Sequence, residues 1–155
     1  MPEMNRTEHA TASRTAPCGK TGLRLSLRAL GDSHGIAAEW SALGRRALTP
    51  NIYYEPEYAV PAAIPFGDGV QLLAVHGDGT DGGPLIGLWP FHVARMRWGV
   101  PLPLLFGWTH PFAATGVPLL DRDRAEEALT ALLLAPSAFG LPRRALMPLV
   151  LDDSA

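Results

Sequence analysis

"VQLLAVHGDGTDGGPLIGLWPFHVARMRW", residues 70–98, is the stretch whose reading decides the fold. "VQLLAVHG" (70–77) reads as a strand, "DGTDGG" (78–83) as a turn and "PLIGLWPFHVARMRW" (84–98) as a longer strand, so the stretch predicts a β-hairpin. In the second strand Trp89, Phe91 and Val93 alternate with Leu88, Pro90 and His92. Both faces therefore begin apolar, the pattern of a strand covered on two sides, and Arg95 and Arg97 mark its exposed end. The two aspartates of the turn stand among glycines with no EF-hand or repeat motif around them, so they read as a flexible turn and not as a calcium loop.

Outward from the hairpin, "LRLSLRAL" (23–30) alternates with a period of two and predicts a first strand with Leu23, Leu25, Leu27 and Ala29 on one side. The period then changes. Ile36, Trp40, Leu43 and Ala47 recur at offsets of three and four, which predicts a helix whose wet face carries Glu39, Arg45 and Arg46 and which "TPN" (49–51) ends. A second short helix starts at Pro56, with Pro61 placed to kink or stop it. On the C-terminal side, "PLPLLFGW" (101–108) predicts a short strand and "THPFAATGVP" (109–118) an irregular loop. Asp123 and Glu126 have the spacing of a capping box, so a helix is expected there with Ala125, Leu129, Leu132 and Leu133 as its buried stripe and Pro136 as its end. "RALMPLVL" (144–151) predicts a last strand.

This order gives an α/β mixture of the α+β kind: a largely antiparallel sheet with flanking helices and one crossover helix, spanning 23–151. Residues 1–22, which mix charge with Thr, Ser and Ala, read as a disordered N-terminal tail, and 152–155 as a C-terminal tail.

A chain of 155 residues that is 47% hydrophobic forms about one domain with a real core. A formal net charge of -2 gives no basic field, so nucleic acid is not an expected partner. The single cysteine, Cys18, has no internal disulfide partner, and the five histidines (His9, His34, His76, His92, His110) stand singly, so no metal site is expected. The first residues have no apolar core of a signal peptide, and the most apolar region is interrupted by His92, Arg95, Arg97 and prolines. Membrane insertion is therefore not expected, and the expected location is cytoplasmic.

"GDSHG" (31–35), between the first strand and first helix, has the G-x-S-x-G spacing of a nucleophile elbow and the Gly-Asp-Ser of a family of serine hydrolases. The strand before it is the first of the domain, and no Asp-x-x-His follows Ser33. Asn occurs only at Asn5 and Asn51. The stretch therefore reads as punctuation, with Asp32 or Ser33 as an N-cap and glycines permitting the turn. Hydrolysis through Ser33 is the lesser alternative.

A series of motifs carries a further resemblance: "EWSAL" (39–43), "TPNIYYEPEY" (49–58), "LLAVHG" (72–77), "PLIGLWPFHVARMRWGVPL" (84–102) and "TGVPLLDRDRAEEALTALL" (115–133). In this order they resemble the N-terminal half of CelD/BioF2-like members of the GNAT acyltransferase superfamily. Members of that family are about twice as long and resemble two GNAT-like lobes in tandem. The resemblance implies an enzyme that passes an acyl group from acyl-CoA, such as acetyl-CoA, to a small amine-bearing acceptor. It also implies an Arg/Gln-x-x-Gly-x-Gly/Ala loop at a helix N-terminus to grip the coenzyme's diphosphate. "THPFAATGVPLLDRD" stands where that loop is expected and lacks the pattern, and Asp121 and Asp123 would repel an anion.

The chain is thus expected to be a single incomplete lobe with no cofactor-binding residues of its own, completed by a second GNAT-like lobe or by self-association through an open sheet edge. By the same resemblance Tyr53, Tyr54 and Glu55 border an acceptor cleft with Trp108 beside them, and His110 is the candidate general base. A noncatalytic interaction domain that keeps the fold without the reaction is the alternative.

Overall fold

The structure is a computed structural model that describes residues 13–79, 82–96 and 99–148. Among the described residues seven strands form one sheet: β1 (Arg14–Pro17), β2 (Arg24–Ala29), β3 (Gln71–His76), β4 (Leu85–Ala94), β5 (Leu104–Gly107), β6 (Leu119–Leu120) and β7 (Ala145–Leu146). The order is β1-β2-β3-β4-β5-β7, with β6 pairing the remaining stretch of the β4 edge. Every pairing is antiparallel except β5 with β7, whose chain direction is restored by the crossover helix α3 (Ala125–Phe139). The fold is α+β, with an open, mostly antiparallel sheet and three helices.

The hairpin forms as its alternation dictates. Leu73 pairs with Trp89 and Val75 with Gly87. A Cβ built on Gly87 would meet Ala128 Cβ at 3.2 Å, so this face of the sheet lies against α3, and glycine here lets the helix approach. Helix α1 (Ala37–Arg45) covers β4 from the other side, where His76 Nε2 lies 3.3 Å from Glu39 of α1. Leu85 to Phe91 are consequently all buried, as expected for a strand covered twice. The strand ends at Ala94, and Arg97 and Trp98 lie outside the described residues.

Several expectations need correction. First, Arg14–Pro17, inside the stretch read as a disordered tail, is the edge strand β1, paired with Arg24–Leu27. Residues 1–12 lie outside the described residues. Its side chains carry no apolar signal because backbone hydrogen bonds hold an edge strand.

Second, the helix at 125 is not started by a capping box. Asp121 Oδ1 accepts the Asp123 amide at 3.1 Å, so Asp121 and not Asp123 organises the turn, and α3 begins after it without a side-chain cap. Third, α3 runs through Pro136 to Phe139 and ends on Gly140, whose φ of 68° is the left-handed conformation of a helix terminator. Its buried stripe is Ala128, Ala131, Leu132, Ala135 and Phe139, while Leu133 faces outward. Helix α2 (Pro56–Phe66) likewise continues through Pro61.

Fourth, neither Asp32 nor Ser33 caps a helix. Leu30–Asp32 and His34–Ile36 are two 3₁₀ turns, and the Ser33 hydroxyl donates backward to the Leu30 carbonyl at 2.6 Å. Ser33 is 0% exposed, which leaves no surface on which a substrate could reach its oxygen. The last strand is shorter than expected, with 149–155 outside the described residues.

Candidate functional site

Asn51 starts the site. Its Oδ1 accepts the Tyr53 amide at 3.2 Å and its Nδ2 donates to the Val117 carbonyl at 3.0 Å, pinning the 3₁₀ turn Ile52–Tyr54 to the loop before β6. Tyr54 is thereby driven into the core. It is 0% exposed, its hydroxyl donates to the Trp108 carbonyl at 2.8 Å, and burial pushes the phenol well above its ordinary range. Trp108 stacks on it with ring centroids 6.5 Å apart and donates from Nε1 to the Phe66 carbonyl at 3.1 Å. Two expected acceptor-cleft residues therefore spend their polar atoms on the protein backbone and act as the floor of the site.

Above that floor is a cluster of rings. His110, Pro111, Phe112 and Ala113 make a tight turn closed by reciprocal backbone bonds between His110 and Ala113, with proline at its second position. The His110 ring lies parallel to Phe66 at 4.6 Å and to Tyr58 at 6.0 Å, with Trp108 at 5.1 Å and Phe112 at 6.4 Å. Tyr53 joins through an edge contact with Tyr58, whose hydroxyl donates to the Phe112 carbonyl at 3.1 Å. Glu55 stands apart: a Cβ on Gly44 of α1 would meet its Cγ at 3.5 Å, so it lies against α1. The structure thus brings together Tyr53, Tyr54, Trp108 and His110, and it adds Tyr58, Phe66 and Phe112, which the sequence reading did not single out. Tyr58 and Phe66 lie eight residues apart on one helix, a spacing that could have flagged them.

The hydrogen bonding of His110 fixes its chemistry. Nδ1 accepts the Phe112 amide at 3.3 Å, so the neutral ring carries its proton on Nε2. Burial lowers the His110 pKa and favours that neutral form. Nε2 is itself buried with no partner among the described residues. His110 therefore presents an N–H donor toward the cluster, and service as a general base would require releasing the Phe112 amide.

The loop leading into α3 is the place expected for a coenzyme cradle. The Asp121 amide donates to Ile86 O at 2.8 Å, Arg122 to Arg46 O at 3.1 Å, Asp123 to Asp121 Oδ1 at 3.1 Å and Arg124 to Asp121 O at 3.1 Å. Arg46 Nε closes on Asp121 Oδ2 at 2.6 Å and the same guanidinium donates to Leu85 O. Burial alone would raise the Asp121 pKa, but the Arg46 and Asp123 donors bring it below the ordinary carboxylate value. Arg124 is bound by Glu127 at 2.7 Å. Four consecutive amides and the Arg46 and Arg124 guanidiniums are thus committed within the protein.

Among the described residues no three His, Cys, Asp or Glu side chains converge to hold a metal, and no helix is long and apolar enough to cross a membrane. No protein-family model and no curated protein matches the chain.

Proposed function

We propose that the chain is a GNAT-like lobe of the CelD/BioF2 type, belonging to an N-acyltransferase that passes an acyl group from acyl-CoA to an amine. The observation that carries this reading is the strand order β2-β3-β4-β5-β7, antiparallel up to β5 and then parallel across one crossover helix, in the order in which the resembling motifs occur. In this reading the lobe supplies scaffold and acceptor contacts, and a second GNAT-like lobe holds the coenzyme. The committed amides of Asp121 to Arg124 support that division, because they already donate within the protein. A cytoplasmic location, where acyl-CoA is made and used, belongs to the same proposal.

The acceptor would meet Tyr53, Tyr58 and Phe112, which the core leaves at least partly exposed. Ring faces there attract an ammonium group. A noncatalytic interaction domain is the second reading, favoured by the complete internal satisfaction of Tyr54 and Trp108.

An NMR titration of the chain with small primary amines separates them. Saturable shifts at Tyr58, His110 and Phe112 are expected for the acceptor lobe. Amines that leave all three resonances unmoved would sink it in favour of the interaction domain.

A further inference from the structure

Three stretches of the chain, 47–54, 58–67 and 99–120, hold no Asp, Glu, Lys or Arg, and the fold gathers them around the turn at His110. The links are direct. Ile52 adjoins Tyr53, whose ring meets Tyr58 edge-on at 5.4 Å; the Tyr58 hydroxyl donates to the Phe112 carbonyl at 3.1 Å, and the Phe112 and Phe66 rings lie 5.9 Å apart. Ile52 is 62% exposed and Phe112 69%. Pro61, one turn along α2 from Tyr58, and Pro111, next to Phe112, are exposed as well.

The two carboxylates that interrupt these stretches turn away. Glu57 accepts the Ser41 hydroxyl of α1 at 3.2 Å, and Glu55 lies against Gly44 of the same helix. The face is thus apolar, aromatic and uncharged, the composition of an interface core. The Tyr58 bond and the reciprocal backbone bonds of His110 and Ala113 hold it in place beforehand, so docking orders little.

Charge selects the occupant. In a two-fold pairing each residue near the axis meets its own copy, so a charged face repels itself, whereas this one presents no charge to repel. The formal net charge of -2 adds little repulsion between whole chains. The exposed Leu134 of α3 fails this criterion, because it lines a cleft with Arg122, Asp123 and Glu126, and two copies meeting there would set like charges together. A lipid surface fits the uncharged face less well, since its three stretches offer no Lys or Arg to a headgroup phosphate.

We infer that the face built on Ile52, Tyr58 and Phe112 is a self-association surface, on which a second copy of this chain packs across a two-fold axis. The inference does not rest on the acyltransferase reading; a second copy and an amine acceptor would compete for Tyr58 and Phe112.

Sedimentation velocity over a range of concentrations tests it. The mass is expected to rise from one chain to two over the micromolar range. Phe112→Glu is expected to weaken the pairing by about thirtyfold or more, the scale of a lost aromatic anchor. Ile52→Glu, at a position already 62% exposed, is expected to weaken it as well and keeps the test valid should Phe112→Glu fold poorly. Leu134→Glu, on the helix that covers the other side of the sheet, is expected to leave the pairing unchanged. The amine titration repeated on the Ile52→Glu variant reports on the acceptor reading alone, so the two can fail separately. A single chain at every concentration, including one that cosediments with phosphatidylcholine vesicles, undiminished pairing in the folded Phe112 and Ile52 variants, or an equal loss in Leu134→Glu would overturn the inference.

Discussion

His110 shows how one hydrogen bond decides a residue's chemistry. Because the Phe112 amide occupies Nδ1, nitrogen chemical shifts are expected to report the Nε2–H tautomer, with ring protonation below the ordinary histidine value of 6.5. His76 and His92 are lowered as well, in both cases first by burial. A histidine kept neutral by folding binds fewer protons native than unfolded, so its contribution to stability is complete above 6.5 and is lost as pH falls from 6.5 toward the lowered native value. The melting temperature should therefore fall with acidification in that window, and His110→Phe should flatten part of the fall. An unchanged profile in that variant would contradict the assignment. Tyr54→Phe is expected to cost about 1–2 kcal/mol in urea unfolding, the scale of a buried donor removed from its acceptor. The sequence made Tyr54 and Trp108 visible as aromatics beside a turn. What it could not convey is that the neighbouring carbonyls of Trp108 and Phe66 would take up their polar ends, since those acceptors come from segments distant in the chain.

At the scale of elements, Asp121 and Asp123 make opposite predictions although two residues apart. Asp121 receives Arg46 and the Asp123 amide and ties the end of α1 to the start of α3, whereas Asp123 is exposed. Asp121→Ala is expected to destabilise the chain by about 2–3 kcal/mol, because Arg46 loses its buried partner, and Asp123→Ala by less than about 0.5 kcal/mol. Chemical denaturation of the two variants checks this, and the reverse ranking would restore the capping box. Since the native Asp121 pKa is lowered, its contribution is present above the ordinary carboxylate value of 3.8 and is lost as pH falls toward the native value. The hairpin of β3 and β4 was legible because two apolar, strand-like runs flank a glycine-rich turn, although the register shifts between Val75 and His76. The limits of α3 were not: Pro136 reads locally as a stop, yet burial of Ala135, Pro136 and Phe139 against the sheet outweighs the hydrogen bond that proline forfeits. Strand β1 was invisible for a related reason, as its pairing with β2 is a tertiary fact with no periodic trace in four mostly exposed residues.

For the whole molecule, the order of strands and the division of labour between lobes form one claim. The arrangement puts the helix that should greet a coenzyme directly after a loop whose amides are already bonded to Ile86, Arg46 and Asp121. A diphosphate that took up these amides would compete with the bonds to Ile86, Arg46 and Asp121 that join α1, β6 and α3. Titration of the chain with acetyl-CoA, followed at the amide resonances of Asp121 to Glu127, tests this most directly. The account predicts that these resonances stay in place at every coenzyme concentration; saturable shifts confined to them would contradict it.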